Sequence, residues 1–83
     1  MKILYFSWIK DKIGINEENI DIDQEVDTVK KLIFFLRNKG ENYNSALENT
    51  GIIRFSINMK NAKLDDKIKN VDEIAFFPPM TGG

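Results

Sequence analysis

The residues of this sequence that are best suited to chemistry are its last two, Gly82 and Gly83. Glycine makes up about 7% of average sequences, so a terminal pair arises by chance in roughly 0.5% of chains. The α-carboxyl group of Gly83 is ionised at neutral pH, because the ordinary pKa of this group is about 3.5. Neither glycine has a side chain, so this end of the chain can enter a narrow channel. We therefore predict that the terminal carboxylate is itself the reactive group.

The residues before the glycines favour an extended segment that leaves the folded domain. Pro78 and Pro79 have no amide hydrogen, so they end strand pairing and stiffen the segment that follows. Residues 78–83 span about 20 Å when fully extended. We predict a folded domain over 1–77 and a flexible C-terminal tail over 78–83.

The amino-acid composition excludes most other kinds of functional site. The chain has 83 residues with no cysteine and no histidine, which excludes zinc fingers, thiol nucleophiles, disulfide frameworks and a histidine base. Twelve basic and 13 acidic residues leave a net charge of −1, which disfavours nucleic-acid binding. The acidic segment Asp21–Glu25 lacks the glycine and glutamate that complete a calcium-binding loop. We expect no metal site and no cofactor bound by this chain.

The start of the chain resembles a signal peptide only superficially. The apolar run of residues 1–9 is short, ends at Lys10 and is followed by no small-residue cleavage site. No apolar run approaches the ~20 residues that cross a membrane. We expect a cytoplasmic protein that does not bind membranes.

The apolar pattern indicates a β-β-α-β-β order of elements. A further brief strand is expected to begin at Leu64, and the four main strands are predicted over 2–8, 19–23, 52–58 and 73–77. A sheet with one main helix packed across it is the economical arrangement of this order. We therefore predict an α+β fold of the β-grasp type, with a mixed sheet whose first and last strands lie side by side in the centre.

The clearest helix is predicted over 28–39. Its buried stripe consists of apolar residues at helical spacing, namely Val29, Leu32, Ile33 and Leu36. Asp27 or Thr28 is the expected N-cap and Gly40 the expected C-terminal stop. A short helical turn is expected around Ser45–Glu48.

Four aromatic residues lie on the two predicted central strands. Phe6 and Trp8 belong to the first, Phe76 and Phe77 to the last. Because alternate residues of a strand face opposite sides, half of these rings are expected in the core and half on the other face. No second helix is predicted to cover that face, and an exposed aromatic patch marks an interface. We predict that Phe6 and Phe77 contact a partner.

The C-terminal segment 72–83 resembles the ending of molybdopterin synthase small subunits, which are sulfur carriers of the MoaD/ThiS family. The sequence Phe-Phe-Pro-Pro-x-Thr-Gly-Gly at 76–83 is highly specific for that subunit. The segments Leu4–Gly14 and Thr28–Leu32 are similar to the family's first strand and helix start. The resemblance covers essentially the whole chain and implies a ubiquitin-like β-grasp.

The resemblance also implies a reaction sequence. A ubiquitin-activating-type adenylyltransferase uses ATP to adenylate the carboxylate of Gly83, and a sulfur donor converts the acyl adenylate to a thiocarboxylate. The large subunit of the synthase accepts the tail, and the sulfur passes to cyclic pyranopterin monophosphate to build the dithiolene of molybdopterin. The chain would be a non-catalytic carrier subunit of a heterotetrameric sulfurtransferase.

The same resemblance assigns roles to residues of this chain. Gly83 carries the sulfur, and Thr81 and Gly82 thread the active site of the large subunit. The expected partner interface consists of residues at or beside the tail, namely Phe6, Phe77, Pro78, Pro79 and Met80.

Three alternatives stay open from the sequence. The chain could be another ubiquitin-like sulfur carrier, serving thiamine synthesis or tRNA thiolation. It could be a protein modifier joined through Gly83 to a lysine amine. It could also be a β-grasp interaction module whose terminal glycines have no function.

Overall fold

A computed structural model of the chain describes residues 1–79. The strands are β1 (Lys2–Tyr5), β2 (Glu17–Asn19), β3 (Arg54–Ile57), β4 (Lys60–Ala62) and β5 (Glu73–Phe77). The helices are α1 (Ser7–Ile13), α2 (Val29–Arg37) and α3 (Glu41–Leu47), and a 3-10 turn at Thr50–Ile52 precedes β3. Among the helices of this part of the chain, none is long and apolar enough to cross a membrane.

The strands form one mixed sheet in the order β2-β1-β5-β3-β4. β1 runs parallel to β5, whereas the β1–β2, β3–β5 and β3–β4 pairs are antiparallel. The first and last strands are therefore neighbours inside the sheet, which confirms the predicted β-grasp.

The core lies between one face of this sheet and the helices. Ile3, Tyr5, Ile74 and Phe76, at alternate positions of β1 and β5, are buried in the same apolar cluster as the predicted stripe of α2. Complete burial of a side chain of this size contributes roughly 1.5–3 kcal/mol. The alternation of these two strands thus fixes which of their side chains are available on the opposite face.

The first strand is shorter than predicted. The predicted strand over 2–8 ends at Tyr5, and Trp8 lies in α1 instead. Ser7 adopts a left-handed backbone with φ 56°, which turns the chain out of the sheet. Ile9 and Ile13, one helical turn apart, then anchor α1 in the core, and Gly14 ends it at φ 99°.

The second predicted strand is also displaced. β2 occupies Glu17–Asn19 rather than 19–23, and it is antiparallel to β1. Ile20 and Ile22 still pack against the core. The amide of Ile22 donates to the Asn70 side chain at 3.1 Å instead of to a strand.

The helical region contains more helix than the sequence indicates. α2 begins after Thr28, whose hydroxyl accepts from the Lys31 amide as predicted, but it ends at Arg37 with Asn38 as C-cap. Gly40 is the N-cap of α3 and not the stop of α2. The predicted turn around Ser45–Glu48 is the last part of α3.

The C-terminal half of the sheet follows the prediction more closely. β3 lies inside the predicted segment 52–58, and β5 coincides with the predicted segment 73–77. The brief strand expected at Leu64 is found earlier, at Lys60–Ala62, because β4 pairs with β3 across a tight turn at Asn58 and Met59.

Candidate functional site

The described residues include four members of the predicted site. Phe6 and Phe77 lie at the ends of β1 and β5, and Pro78 and Pro79 follow β5 as partly buried residues outside regular structure. The other predicted members lie outside the described residues, namely Met80, Thr81, Gly82 and Gly83. The division between a domain over 1–77 and a tail over 78–83 stays a prediction.

Phe6 and Phe77 are brought together by the parallel pairing of β1 and β5. Tyr5 pairs with Phe76, and the Phe6 amide donates to the Phe76 carbonyl oxygen at 3.1 Å. Phe6 has extended backbone angles, so it continues the alternation of β1. Since Tyr5 and Phe76 are buried beneath the helices, Phe6 and Phe77 lie on the other side of the sheet, which we call the open face.

The neighbouring segments add residues on both sides of the Phe6–Phe77 pair. The Tyr5 amide donates to Asn16 O at 2.9 Å, one residue beyond the β1–β2 register. Extending that register by one more residue pair would set Ile15 opposite Phe6. On the other side, Arg54 is the direct partner of Phe77 in the β3–β5 pairing. The side chains of Ile15 and Phe6 are 40% and 47% exposed, and Phe77 is partly exposed. We call Ile15, Phe6 and Phe77 the apolar row.

The open face becomes polar with distance from the apolar row. The next row consists of Glu17, Leu4, Ala75 and Ser56, and the one beyond it includes Lys2 and Glu73. Lys2 and Glu17 form an exposed ion pair at 3.6 Å. The apolar surface is therefore concentrated at the edge where the chain leaves β5 towards Pro78. An exposed aromatic pair at this place fits a docking surface beside the chain end.

Ser7 holds Phe6 at the end of the row. A left-handed conformation costs a residue with a Cβ atom about 1 kcal/mol, and Ser7 adopts it immediately after Phe6. Because the chain turns into α1 at this point, Phe6 is the last extended residue and its ring stays outside the core. Backbone strain of this kind is concentrated at functional positions in proteins.

The other two aromatic residues of the predicted set are not on this surface. Phe76 is fully buried, stacks on Tyr5 with ring centroids 6.0 Å apart and meets Phe55 edge-on. Trp8 is partly buried against the core, with the Lys12 ammonium 5.7 Å from its ring centroid. Of the four rings, only Phe6 and Phe77 share the open face.

A polar cluster lies on the helix-covered side of the sheet. The hydroxyls of Tyr5 and Tyr43 both donate to Glu18 Oε2 at 2.8 Å, and Lys39 Nζ donates to Glu18 Oε1 at 2.8 Å. Burial acts to raise the pKa of Glu18, but the hydrogen bonds and the Lys39 charge outweigh it and lower this pKa. Burial and the bond to Glu18 raise the pKa of Tyr5. Each group has its partner inside the chain, so the cluster joins β1, β2 and α3 and leaves no group directed at a substrate.

A groove also lies along α2. It encloses about 1040 Å³ and is lined by Val26, Phe34, Phe35 and several lysines. Phe34, which lies opposite the buried stripe of α2, is 69% exposed. The groove is formed by the outer surface of the helix, away from the open face, and it contains none of the predicted site residues.

Sequence reasoning missed Ile15 and Arg54. Arg54 begins a strand of alternating residues, and this alternation places it on the same face as Ser56. The position of Ile15 depends on the return of the chain from α1, which the sequence did not reveal. Both residues became visible only through the register of the sheet.

Comparison with known proteins finds one family and several similar chains. The profile of the ThiS family matches residues 3–83. The molybdopterin synthase sulfur carrier subunit of Haemophilus influenzae is 35% identical over 83 residues, which is 100% of this chain and 99% of that protein. The subunit of the same description from Escherichia coli is 29% identical, with the same coverage. The crystal structure of SAMP1 from Haloferax volcanii superposes with a TM-score of 0.74 at 26% identity, covering 100% of this chain and 98% of that one.

Proposed function

This chain belongs to the ThiS family, and from that membership we propose that it is the sulfur carrier subunit of a molybdopterin synthase. The observation that supports this most strongly is the full-length likeness to two molybdopterin synthase sulfur carrier subunits, and the family match extends through the terminal Gly82 and Gly83. Two full-length relatives are described as molybdopterin synthase sulfur carrier subunits. The proposed reactive group is the carboxylate of Gly83.

The proposed chemistry begins by giving this carboxylate a leaving group. A carboxylate resists nucleophilic attack because it would have to expel oxide. In the activating adenylyltransferase, a Gly83 oxygen bonds to the α-phosphorus of ATP and pyrophosphate leaves. A donor then delivers sulfur at the oxidation state of sulfide, a carbon–sulfur bond forms, and AMP leaves with the electron pair of the broken bond. No electron acceptor is required, and the product is a C-terminal thiocarboxylate.

The second half of the proposed cycle takes place at the large subunit. The thiocarboxylate sulfur bonds to a side-chain carbon of cyclic pyranopterin monophosphate, while the carbon–oxygen bond at that carbon breaks and the oxygen group leaves with its electron pair. Water then cleaves the acyl–sulfur bond. The sulfur stays on the pterin product and the carboxylate of Gly83 is restored. One loaded carrier is consumed for each sulfur of the dithiolene. The carrier needs no cysteine or histidine, since its partners supply the catalytic groups.

The apolar row supports the docking step of this proposal. Phe6 is exposed and Phe77 partly exposed, side by side at the edge where the chain leaves β5. A partner that covers them is guided towards Pro78, Pro79, Met80 and the glycine end that follows. We propose that the large subunit and the activating enzyme both use this row, that Thr81 and Gly82 enter their channels, and that the assembly is a cytoplasmic heterotetramer.

The experiment that tests the proposal is alkylation of the terminal sulfur. The chain is incubated with ATP, the activating enzyme and a sulfur donor, labelled with a thiol-specific reagent and analysed by fragment mass spectrometry. Because the sequence has no cysteine, a label on the last peptide reports a thiocarboxylate. A plain mass increase would be ambiguous, since oxidation of one of the 3 methionines adds nearly the same mass as exchange of oxygen for sulfur.

A variant that lacks Gly82 and Gly83 is the matched control. It is expected to take up no label and to unfold at the same urea concentration as the complete chain, because the predicted tail adds no core contact. A label on the complete chain that disappears without ATP supports the proposal. Molybdopterin formation by the truncated variant would refute it.

A second candidate function is protein modification, which the likeness to SAMP1 favours. In this case Gly83 would form an amide bond with a lysine of another protein. Trypsin would then leave residues 70–83 attached to that lysine, because Lys69 is the last basic residue of the chain. Branched peptides of this composition in cell extracts would support the second candidate. Their absence, together with a labelled thiocarboxylate, would favour the sulfur carrier, and the recipient of the sulfur would then separate molybdopterin synthesis from thiamine or tRNA thiolation.

A further inference from the structure

A charged residue, Arg54, lies on the open face directly beside the apolar row. Arg54 pairs with Phe77 in the β3–β5 register, so its side chain emerges on the open face directly beside the apolar row. It is exposed, whereas its neighbours Ile53 and Phe55 are buried. Any partner that covers Phe77 broadly therefore also reaches Arg54.

The guanidinium of Arg54 has only a weak local partner. Its Nη1 donates to the carbonyl oxygen of Ile53 at 3.1 Å. The ion pairs found among residues 1–79 involve lysines and do not include Arg54. Glu73, the acid of β5, lies four residues along that strand from Phe77, which is about 13 Å. Among residues 1–79, Arg54 therefore has no carboxylate within ion-pair distance.

Docking changes the surroundings of this guanidinium, because a partner that covers Arg54 removes water from it. A guanidinium taken out of water without an anion destabilises a complex, whereas a carboxylate can accept two parallel hydrogen bonds from it. At this position a partner with a carboxylate is favoured and a partner with a purely apolar surface is disfavoured. Arg54 therefore attracts the first kind of partner and selects against the second.

We propose that Arg54 makes the open face selective for a large subunit that places an aspartate or glutamate against β3, next to the pocket for Phe77. This inference rests on the proposed function and specifies the chemistry of the partner surface. It assigns Arg54 to partner recognition, and the sulfur chemistry at Gly83 does not depend on it.

The test is the affinity of the large subunit encoded with this chain for four forms of the carrier, measured by titration calorimetry in low and high salt. The forms are the unchanged chain, Arg54→Glu, Arg54→Leu and the control Lys30→Glu. Lys30 is exposed on α2, away from the open face, and its reversal changes the net charge by the same amount as Arg54→Glu. Thermal unfolding of each variant verifies that it folds.

We expect Arg54→Glu to weaken binding at least about tenfold, because it brings like charges together. Arg54→Leu is expected to weaken binding several-fold although it adds apolar surface, since the partner's carboxylate loses its counter-ion. Arg54→Leu should bind with less salt dependence than the unchanged chain, whereas Arg54→Glu should bind more tightly as salt rises, because salt screens the repulsion. The affinity of Lys30→Glu should stay within about twofold.

Two results would overturn the inference. Tighter binding by Arg54→Leu would show that the partner surface opposite Arg54 is apolar. An Arg54→Glu affinity equal to that of Lys30→Glu would show that only the net charge matters. Either result leaves the proposed function intact, whereas failure of the unchanged chain to bind the large subunit would remove the proposed function and this inference together.

Discussion

The two faces of the sheet are made by alternate residues of the same strands, yet they differ in what covers them. On the helix-covered face, Tyr5 and Phe76 are buried, and the Tyr5 hydroxyl has its partner in Glu18. On the open face, Phe6 and Phe77 remain partly exposed beside the exit of the chain from β5. The comparison shows that one set of alternate residues builds the core, and it leaves the other set available for the docking that we propose.

Exposure alone does not identify the docking surface. Phe34 on α2 is 69% exposed and Phe6 only 47%. Phe34 stands on a helix surface among lysines, whereas Phe6 belongs to a row whose register is fixed by strand pairing and which adjoins Pro78. The docking proposal therefore rests on the position of Phe6 and Phe77 beside the exit of the chain from β5, and not on their exposed fractions.

The largest expected effect tests the separation of the two faces directly. Phe76→Ala should lower the free energy of unfolding by about 3–5 kcal/mol, because it leaves a cavity in the core. Phe77→Ala, the adjacent residue on the open face, should lower it by less than about 1 kcal/mol. Urea denaturation measures both. If the two variants lost equal free energy of unfolding, Phe77 would also contribute to the core, and the two faces would not differ as described.

The next prediction concerns docking. Phe77→Asp should weaken binding to the large subunit at least about 30-fold, because it places a charge in an apolar contact. Phe6→Asp should act in the same direction. The matched control is Phe34→Asp, which is expected to stay within about twofold. If Phe34→Asp weakened binding as much as Phe77→Asp, the docking surface would have to include α2.

A smaller effect is expected at the polar cluster of the helix-covered face. Glu18→Gln removes a charge that accepts bonds from Tyr5, Tyr43 and Lys39, and should cost about 1–3 kcal/mol of stability at neutral pH. Its effect on binding should be small, because Glu18 does not face the partner.

The lowered pKa of Glu18 gives this loss a pH dependence. The folded state binds the proton of Glu18 less readily than the unfolded chain, so the stabilisation is complete above the ordinary glutamate pKa of about 4.3 and is lost as pH falls through the lowered folded pKa. Glu18→Gln should therefore reduce the loss of stability between neutral pH and pH 3. An unchanged acid profile in urea titrations would contradict the assignment.

The smallest predicted effect is a gain in stability. Met59 has φ 71° in the turn between β3 and β4, a conformation that glycine adopts without strain. Met59→Gly should raise the free energy of unfolding by about 0.5–1 kcal/mol. This turn lies at the end of β3 away from Arg54, so binding should not change. A loss of stability would show that contacts of the exposed Met59 side chain outweigh the strain.

The sequence was most informative where local pattern and tertiary packing agree. The stripe of α2 and the apolar strand at 73–77 predicted the β-grasp order correctly, and the aromatic alternation separated Phe76 from Phe77. It failed at Ser7, since no glycine marks the left-handed turn that ends β1. It also missed most of α3, although Tyr43, Ala46 and Leu47 lie at helical spacing, because the asparagines of that segment are typical of loops. Ile15 and Arg54 could not be assigned to the site from sequence, since their placement depends on strand register.

The measurement that tests the account most directly is transfer of labelled sulfur. The chain is loaded with sulfur-35 at Gly83, separated from the activating enzyme, and mixed with the large subunit and cyclic pyranopterin monophosphate. We predict that the label leaves the chain and appears in molybdopterin, and that Phe34→Asp behaves like the unchanged chain while Phe77→Asp does not. Label that stays on the chain in the presence of an active large subunit, or that passes to another acceptor only, would contradict the proposed function.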